Sequence, residues 1–114
     1  MRRIYKILDR EAWEQAQRKG VFKGSPVDLQ DGFIHFSDAG QAQETARRHF
    51  RGQPDLMLLI VDADMLGEAL RWEPSRGGAL FPHLYGPLAA TAVLEVRALA
   101  LDEEGAPQLG PLEP

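Results

Sequence analysis

The chain has 114 residues, of which 44% are hydrophobic and 26% charged, which is enough apolar material for one domain with one core. Its formal net charge of −4 argues against nonspecific nucleic-acid binding, which usually needs a basic face, although clustered arginines leave local positive patches. Cysteine is absent, which excludes disulfides, thiolate catalysis and cysteine-bound metal centres and fits a reducing cytoplasm.

The first half of the chain predicts two strands, each followed by a helix. The predicted elements are a strand at 3–8, a helix at about 10–19, a turn-rich loop at 21–31, a strand at 33–37 and a helix at about 38–51. Asp9 is typical of a residue that caps a helix, and Gly20 of one that ends it.

The second half predicts three more strands and an irregular segment. The elements are a strand at 56–62, one helical turn at 64–70, a short strand at 70–73, a flexible glycine loop at 76–78, an irregular segment at 81–88 and a last strand at 91–101. Residues 56–62 are apolar on both faces, so we expect a central strand that is covered on each side.

This order of elements predicts an α+β fold, with a single globular domain over residues 1–101 and a bent mixed β-sheet flanked by two main helices. Residues 102–114 are rich in proline and glycine, and we expect a disordered tail. The longest apolar run is far shorter than the roughly 20 residues of a membrane span, and the N-terminus does not resemble a signal peptide. We therefore expect a cytoplasmic protein with no membrane partner.

The most informative segment is the irregular one at residues 81–88. Two prolines and a glycine exclude a regular central element, yet the segment keeps Phe81, His83 and Tyr85. Such a segment is suited to hold a ring nitrogen, a phenol and an apolar face in fixed places. A second segment, residues 31–37, has the same character, and we expect the two to meet and form one pocket.

In an extended strand, His35 and Ser37 share one face while Ile34 and Phe36 face the core. An imidazole and a hydroxyl together suit a sugar hydroxyl or a phosphate. The structural alternative is a half-buried histidine bonded to backbone, with Ser37 serving only to cap the next helix.

Glu73 precedes the flexible loop and is either a surface carboxylate or a pocket residue that stabilises developing positive charge. Phe81 and Tyr85 could stack on a planar ligand, with His83 as a hydrogen-bonding group. The alternative is a rigid loop that plugs the sheet edge. Close pairs of metal ligands are absent from the sequence, so we expect no metal.

The paired signatures GFIHFS and FPHLYGPL, together with scattered residues between positions 3 and 101, resemble the small bacterial family catalogued as domain of unknown function 952. The resemblance rests on these stretches and positions: Ile4 to Ile7, Trp13, Gly20, Asp28, Asp31 to Ser37, Gln41, Thr45, Ala46, Leu58, Leu59, Val61, Asp62, Leu70, Trp72, Glu73, Phe81 to Leu88 and Val93.

This resemblance implies a fold similar to the ADP-ribosyltransferase superfamily, which includes the tRNA 2′-phosphotransferases. In those enzymes an early histidine holds an NAD ribose, an aromatic or second histidine packs on nicotinamide, and a third motif often supplies an acid. By this resemblance, His35 corresponds to the histidine of the first motif, and Ser37 lies near it in the sequence. Glu73, His83 and Tyr85 are the candidates for the other two.

Three functions follow as hypotheses. The first is a protein that binds NAD, ADP-ribose or a related nucleotide, with His35, Glu73 and His83 as catalytic residues and Ser37, Phe81 and Tyr85 as binding residues. NAD would be its substrate, and its activity would be ADP-ribosyltransferase-like or phosphotransferase-like. The second is a noncatalytic module that senses ADP-ribose or another small metabolite. The third is a metal-dependent hydrolase built on the two histidines and the glutamate.

Overall fold

The computed structural model describes residues 1–114 and contains nine strands and three α-helices. The strands are β1 (Arg3–Asp9), β2 (Val21–Phe22), β3 (Ile34–His35), β4 (Leu56–Asp62), β5 (Leu70–Pro74), β6 (Leu80–Leu84), β7 (Leu88–Ala89), β8 (Val93–Leu101) and β9 (Pro107–Gln108). The helices are α1 (Arg10–Lys19), α2 (Pro26–Asp31) and α3 (Ala42–His49). None of the helices has the length and apolar character needed to cross a membrane.

The strands form three sheets that join into one curled layer. Their orders are β1-β4-β8-β9, β3-β6-β5 and β2-β7. Tyr5 and Ser37 connect the first two sheets through a pair of backbone hydrogen bonds of 2.8 and 2.9 Å. The chain therefore folds as a single α+β domain in which the curled sheet brings β1 beside β3 and β6.

Every strand pairing is antiparallel, so the prediction of a mixed sheet is wrong. The cause lies in the path that follows α3. The segment after α3 reaches the carboxyl end of β1, where Leu56 pairs with Asp9, and β4 then runs back along β1. No helical crossover places two neighbouring strands parallel to each other.

Strand β4 is buried along its whole length, as predicted for a central strand covered on both faces. Leu59 and Val61 pack with Trp13 of α1 in one hydrophobic cluster. Leu58 and Ile60 pack with the buried alanines of α3 in the other. This alternation fixes α1 and α3 on opposite faces of the sheet.

Helix α1 also follows its predicted signals. The Asp9 side chain accepts a hydrogen bond of 2.7 Å from the backbone nitrogen of Ala12. Gly20 ends the helix with φ of 79°, in the left-handed region that glycine adopts without strain.

Helix α2 lies in the segment that was predicted to be a loop, and this prediction is wrong. Pro26 occupies the first helical position, where its missing N–H costs no hydrogen bond. The Asp28 side chain accepts a hydrogen bond of 2.8 Å from the backbone nitrogen of Ser25, which closes the first turn. The same residues that read as turn signals therefore start a short helix.

The prediction of a disordered tail at residues 102–114 does not agree with the structure. Strand β9 pairs with the end of β8, and Leu109 is buried in the cluster beneath α3 with 1% of its surface exposed. Arg97 donates hydrogen bonds to the carbonyls of Leu109 and Pro111 at 3.0 and 2.6 Å. Apolar burial and these bonds hold in place a segment that is rich in proline and glycine.

Candidate functional site

The two segments singled out in the sequence meet in the structure. The prediction that residues 81–88 form no regular central element is wrong, because Leu80–Leu84 form β6, the middle strand of the β3-β6-β5 sheet. His35 of β3 lies opposite His83 of β6 in the antiparallel register, and the centroids of the two imidazole rings are 5.6 Å apart. Both rings line a cleft of about 560 Å³ that is bounded by β1, α3 and the β3-β6-β5 sheet. Clefts of this size are typical of small-molecule sites. The predicted meeting of the two segments is thus confirmed.

Phe33 provides an aromatic platform between the two histidines. Its ring centroid is 4.1 Å from that of His83 in a stacked arrangement and 4.5 Å from that of His35. Tyr85 lies 5.2 Å away on the same platform. These contacts restrict the orientation of both imidazoles.

Two carboxylates hold His35 from both sides of its ring. Its Nδ1 donates to Asp28 Oδ1 at 2.6 Å, and its Nε2 lies 2.9 Å from Asp31 Oδ2. The His35 ring therefore lies between a buried carboxylate, Asp28, and an exposed carboxylate, Asp31.

Asp28 accepts hydrogen bonds from several groups around His35. Its carboxylate also accepts from Lys6 Nζ at 2.9 Å and from the backbone nitrogen of His35 at 3.1 Å. Burial acts to raise the pKa of Asp28, but the hydrogen bond from His35 and the charge of Lys6 lower it to about 2. Burial lowers the pKa of Lys6, and Asp28 opposes that effect. Asp28 is thus ionised and paired inside the protein.

Glu73 holds His83 in a similar way. Glu73 Oε1 accepts a hydrogen bond of 2.8 Å from His83 Nδ1 and another of 2.8 Å from the Tyr85 hydroxyl. The bonds from His83 and Tyr85 lower the pKa of Glu73, and the bond to Glu73 raises the pKa of Tyr85. Because Nδ1 is engaged, Nε2 is the ring nitrogen of His83 that is free to act as an acceptor toward a ligand.

The predicted site residues divide into two groups. His35, Ser37, Phe81 and His83 line the cleft. Glu73 and Tyr85 do not line it and reach it only through His83. The alternative interpretation, in which Ser37 caps the next helix, is wrong, because Gln41 occupies the capping position of α3. The Ser37 hydroxyl instead lies 2.9 Å from Thr45 Oγ1. The roles of these residues in binding or catalysis remain predictions.

Sequence reasoning missed several residues of the cleft. Lys6, Thr45 and Arg76 line it and were not proposed as site residues. The exposed His49 also lines the cleft, so all three histidines of the chain do so. One signal was available, because Thr45 and His49 are four residues apart and share a helix face.

The metal-ligand trio of His35, His83 and Glu73 is not formed. The structure contains no group of three histidine, cysteine or acidic side chains that could hold a metal ion. The Nδ1 atoms of the two histidines instead donate to separate carboxylates. This arrangement gives the metal-dependent hydrolase hypothesis no support.

Fold and site together define a small α+β protein with a histidine-lined cleft at the meeting of two antiparallel sheets. The family model described as "Protein of unknown function (DUF952)" matches residues 7–96, and the chain belongs to this family.

The solved structures of protein CC0527 from Caulobacter crescentus are similar to this chain. The crystal structure is 58% identical in sequence, covers 95% of both chains and superimposes with a TM-score of 0.93. The solution NMR structure of the same protein, also 58% identical, covers 96% of this chain and 95% of that one with a TM-score of 0.87. No curated protein matches the chain.

Proposed function

We propose that the cleft binds NAD, ADP-ribose or a related nucleotide, and that the protein is a transferase of the ADP-ribosyltransferase-like or phosphotransferase-like kind. The observation that carries this proposal is the pair of imidazoles 5.6 Å apart on neighbouring strands, each anchored through Nδ1 by its own carboxylate. The relationship of the fold to the ADP-ribosyltransferase superfamily is part of the same proposal.

The two histidines suit complementary tasks at a ribose. His35 Nε2 lies 2.9 Å from Asp31 Oδ2, and it would donate to a ligand hydroxyl that displaces this exposed carboxylate. His83 accepts through its free Nε2, since Glu73 engages Nδ1. One donor and one acceptor at this separation match a pair of neighbouring sugar hydroxyls.

Aromatic side chains suit the planar part of such a ligand. Phe81 lines the cleft, and Phe33 stacks behind the histidines and keeps them in place. The nicotinamide ring of bound NAD would pack on this apolar surface. As its bond to the ribose breaks, the ribose would become oxocarbenium-like. Holding the ribose in one orientation would supply much of the rate enhancement.

A noncatalytic module that senses ADP-ribose is the second candidate, and the position of Glu73 favours it. Glu73 is held by His83 and Tyr85 and does not line the cleft, so its charge reaches a bound ribose only through the His83 ring. In a transferase, the charge of Glu73 would have to stabilise the ribose through the His83 ring, or Glu73 would have to move into the cleft.

Incubation with NAD and measurement of released nicotinamide tests the transferase proposal. We expect turnover that falls at least about a hundredfold in His35→Ala and in His83→Ala, the scale typical of a lost acid–base or positioning group. Gln17→Ala is the control, because Gln17 is exposed on α1 and does not line the cleft. Calorimetry with ADP-ribose on the same variants separates the two candidates.

Tight ADP-ribose binding without nicotinamide release would support the sensing module and reject the transferase. If NAD and ADP-ribose both fail to bind the wild-type protein, both candidates are wrong.

A further inference from the structure

Arg76 is a cation in the cleft that has no acidic partner. Its side chain lines the cleft, and no carboxylate lies within ion-pair distance of its guanidinium group. Its Nη2 donates to Thr45 Oγ1 at 3.3 Å, and its guanidinium carbon lies 5.0 Å from the centroid of the Phe81 ring. The head group is therefore oriented but not neutralised.

A short hydrogen-bonded loop places this arginine. The backbone nitrogen of Ser75 donates to Ala79 at 2.9 Å, and that of Gly78 donates to Ser75 at 2.8 Å. Gly77 and Gly78 adopt φ of 70° and 82°, which other residues rarely reach. The two glycines thus allow a tight turn that brings Arg76 from the end of β5 to α3.

Two hydroxyl groups complete a polar patch beside Arg76. Ser37 Oγ lies 2.9 Å from Thr45 Oγ1, which in turn accepts from Arg76. Both hydroxyls can turn toward a ligand oxygen as donors. A planar guanidinium with adjacent hydroxyl donors is a common arrangement for recognising phosphate oxygens.

The charge of the cleft differs from that of the whole molecule. The protein carries a formal net charge of −4, yet Asp9 is the single carboxylate residue in the lining, and its side chain caps α1. Besides the three histidines, Lys6 and Arg76 are the basic residues there, and Asp28 pairs with Lys6. The free positive charge is thus that of Arg76, at the patch with the two hydroxyls.

We infer that Arg76, Thr45 and Ser37 form a subsite for a phosphate or pyrophosphate group of the ligand. This inference rests on the proposed function, since it takes the ligand of the cleft to be a nucleotide. This end of the cleft would recognise the phosphate groups of that nucleotide. The histidine pair would then hold the ribose while Arg76 holds the adjoining phosphates.

Binding of inorganic pyrophosphate, followed in ¹⁵N–¹H NMR spectra, tests the subsite without a nucleotide. We expect shifts at Arg76, Thr45 and Ser37, and an affinity at least about tenfold weaker in Arg76→Gln, as for the loss of a charge-assisted pair. Arg18→Gln is the matched control, because it removes the same charge from an exposed position of α1 and should leave the affinity unchanged.

Comparison of ADP-ribose with adenosine gives a second readout. In Arg76→Gln, ADP-ribose affinity should fall about tenfold while adenosine affinity stays the same, since adenosine carries no phosphate. Pyrophosphate that shifts none of the three residues, or that binds Arg76→Gln as well as wild type, would overturn the subsite. If pyrophosphate binds through Arg76 but ADP-ribose does not bind, the subsite stands and the proposed function fails.

Discussion

Asp28 is the residue on which the geometry of His35 depends. Its buried carboxylate receives hydrogen bonds from Lys6, from the ring and backbone of His35, and from the backbone of Ser25. One carboxylate therefore starts α2, neutralises a buried lysine and orients a cleft imidazole. Removing its charge leaves Lys6 unpaired in the interior, which is among the costlier single changes in a protein.

We expect Asp28→Asn to lower the free energy of unfolding by about 3 kcal/mol at neutral pH, measured by urea denaturation. Asp31→Asn is the matched control, because Asp31 contacts the same imidazole but its side chain is 42% exposed, and it should cost less than about 1 kcal/mol. Equal losses in the two variants would contradict the role given to Asp28.

The same denaturation series at lower pH checks the sign of the Asp28 contribution. The pKa of Asp28 is lowered from 3.8 to about 2 in the folded protein, so its contribution is complete above about pH 4 and is lost as the pH falls toward 2. The size corresponds to about 2 kcal/mol. This part of the acid dependence should persist in Asp31→Asn and be missing from Asp28→Asn.

At the residue scale, the sequence predicted that His35 and His83 share the cleft, but it predicted neither the place of His49 there nor the carboxylates that anchor the two rings. Strand alternation places His35 on one face. The segment around His83 was predicted to be irregular because of its prolines, yet His83 lies in β6, the middle strand of its sheet. Asp28 gave no comparable signal, because a single carboxylate within a turn-rich segment is common on surfaces. Its burial depends on α2 and Lys6 meeting in three dimensions, which no local pattern encodes.

At the element scale, elements with a strong sequence pattern were predicted correctly, whereas short elements were missed. The fully apolar β4 and the capped α1 occur where the sequence predicted them. Helix α2 has only six residues, and its Ser-Pro start is also typical of a turn. Strand β9 has two residues, and it forms because tertiary burial of its neighbour Leu109 outweighs a poor local preference.

The packed C-terminal segment leads to a prediction about stability. Leu109→Ala should lower the free energy of unfolding by about 2–4 kcal/mol, because Leu109 is buried beside α3 and its truncation leaves a cavity. Leu94→Ala is the matched control, since Leu94 is 47% exposed and should change stability by less than about 0.5 kcal/mol. A Leu109 variant as stable as wild type in urea denaturation would show that the segment adds no packing energy.

At the scale of the whole molecule, the curled antiparallel layer determines where chemistry can occur. The Tyr5–Ser37 bridge joins two sheets and places β3 and β6 beside β1, so that residues far apart in the chain surround one cleft. The proline-aromatic and histidine-bearing segments predicted this convergence. The contribution of Arg76 was not predictable, since its place depends on the turn that carries it to α3.

The measurement that tests the central proposal most directly is a ¹⁵N–¹H NMR titration of the wild-type protein with ADP-ribose at millimolar concentration. We expect shifts that concentrate on the amides around His35, Ser37 and His83 and that saturate as one site fills. A spectrum that does not change, or shifts confined to residues outside the cleft, would contradict it.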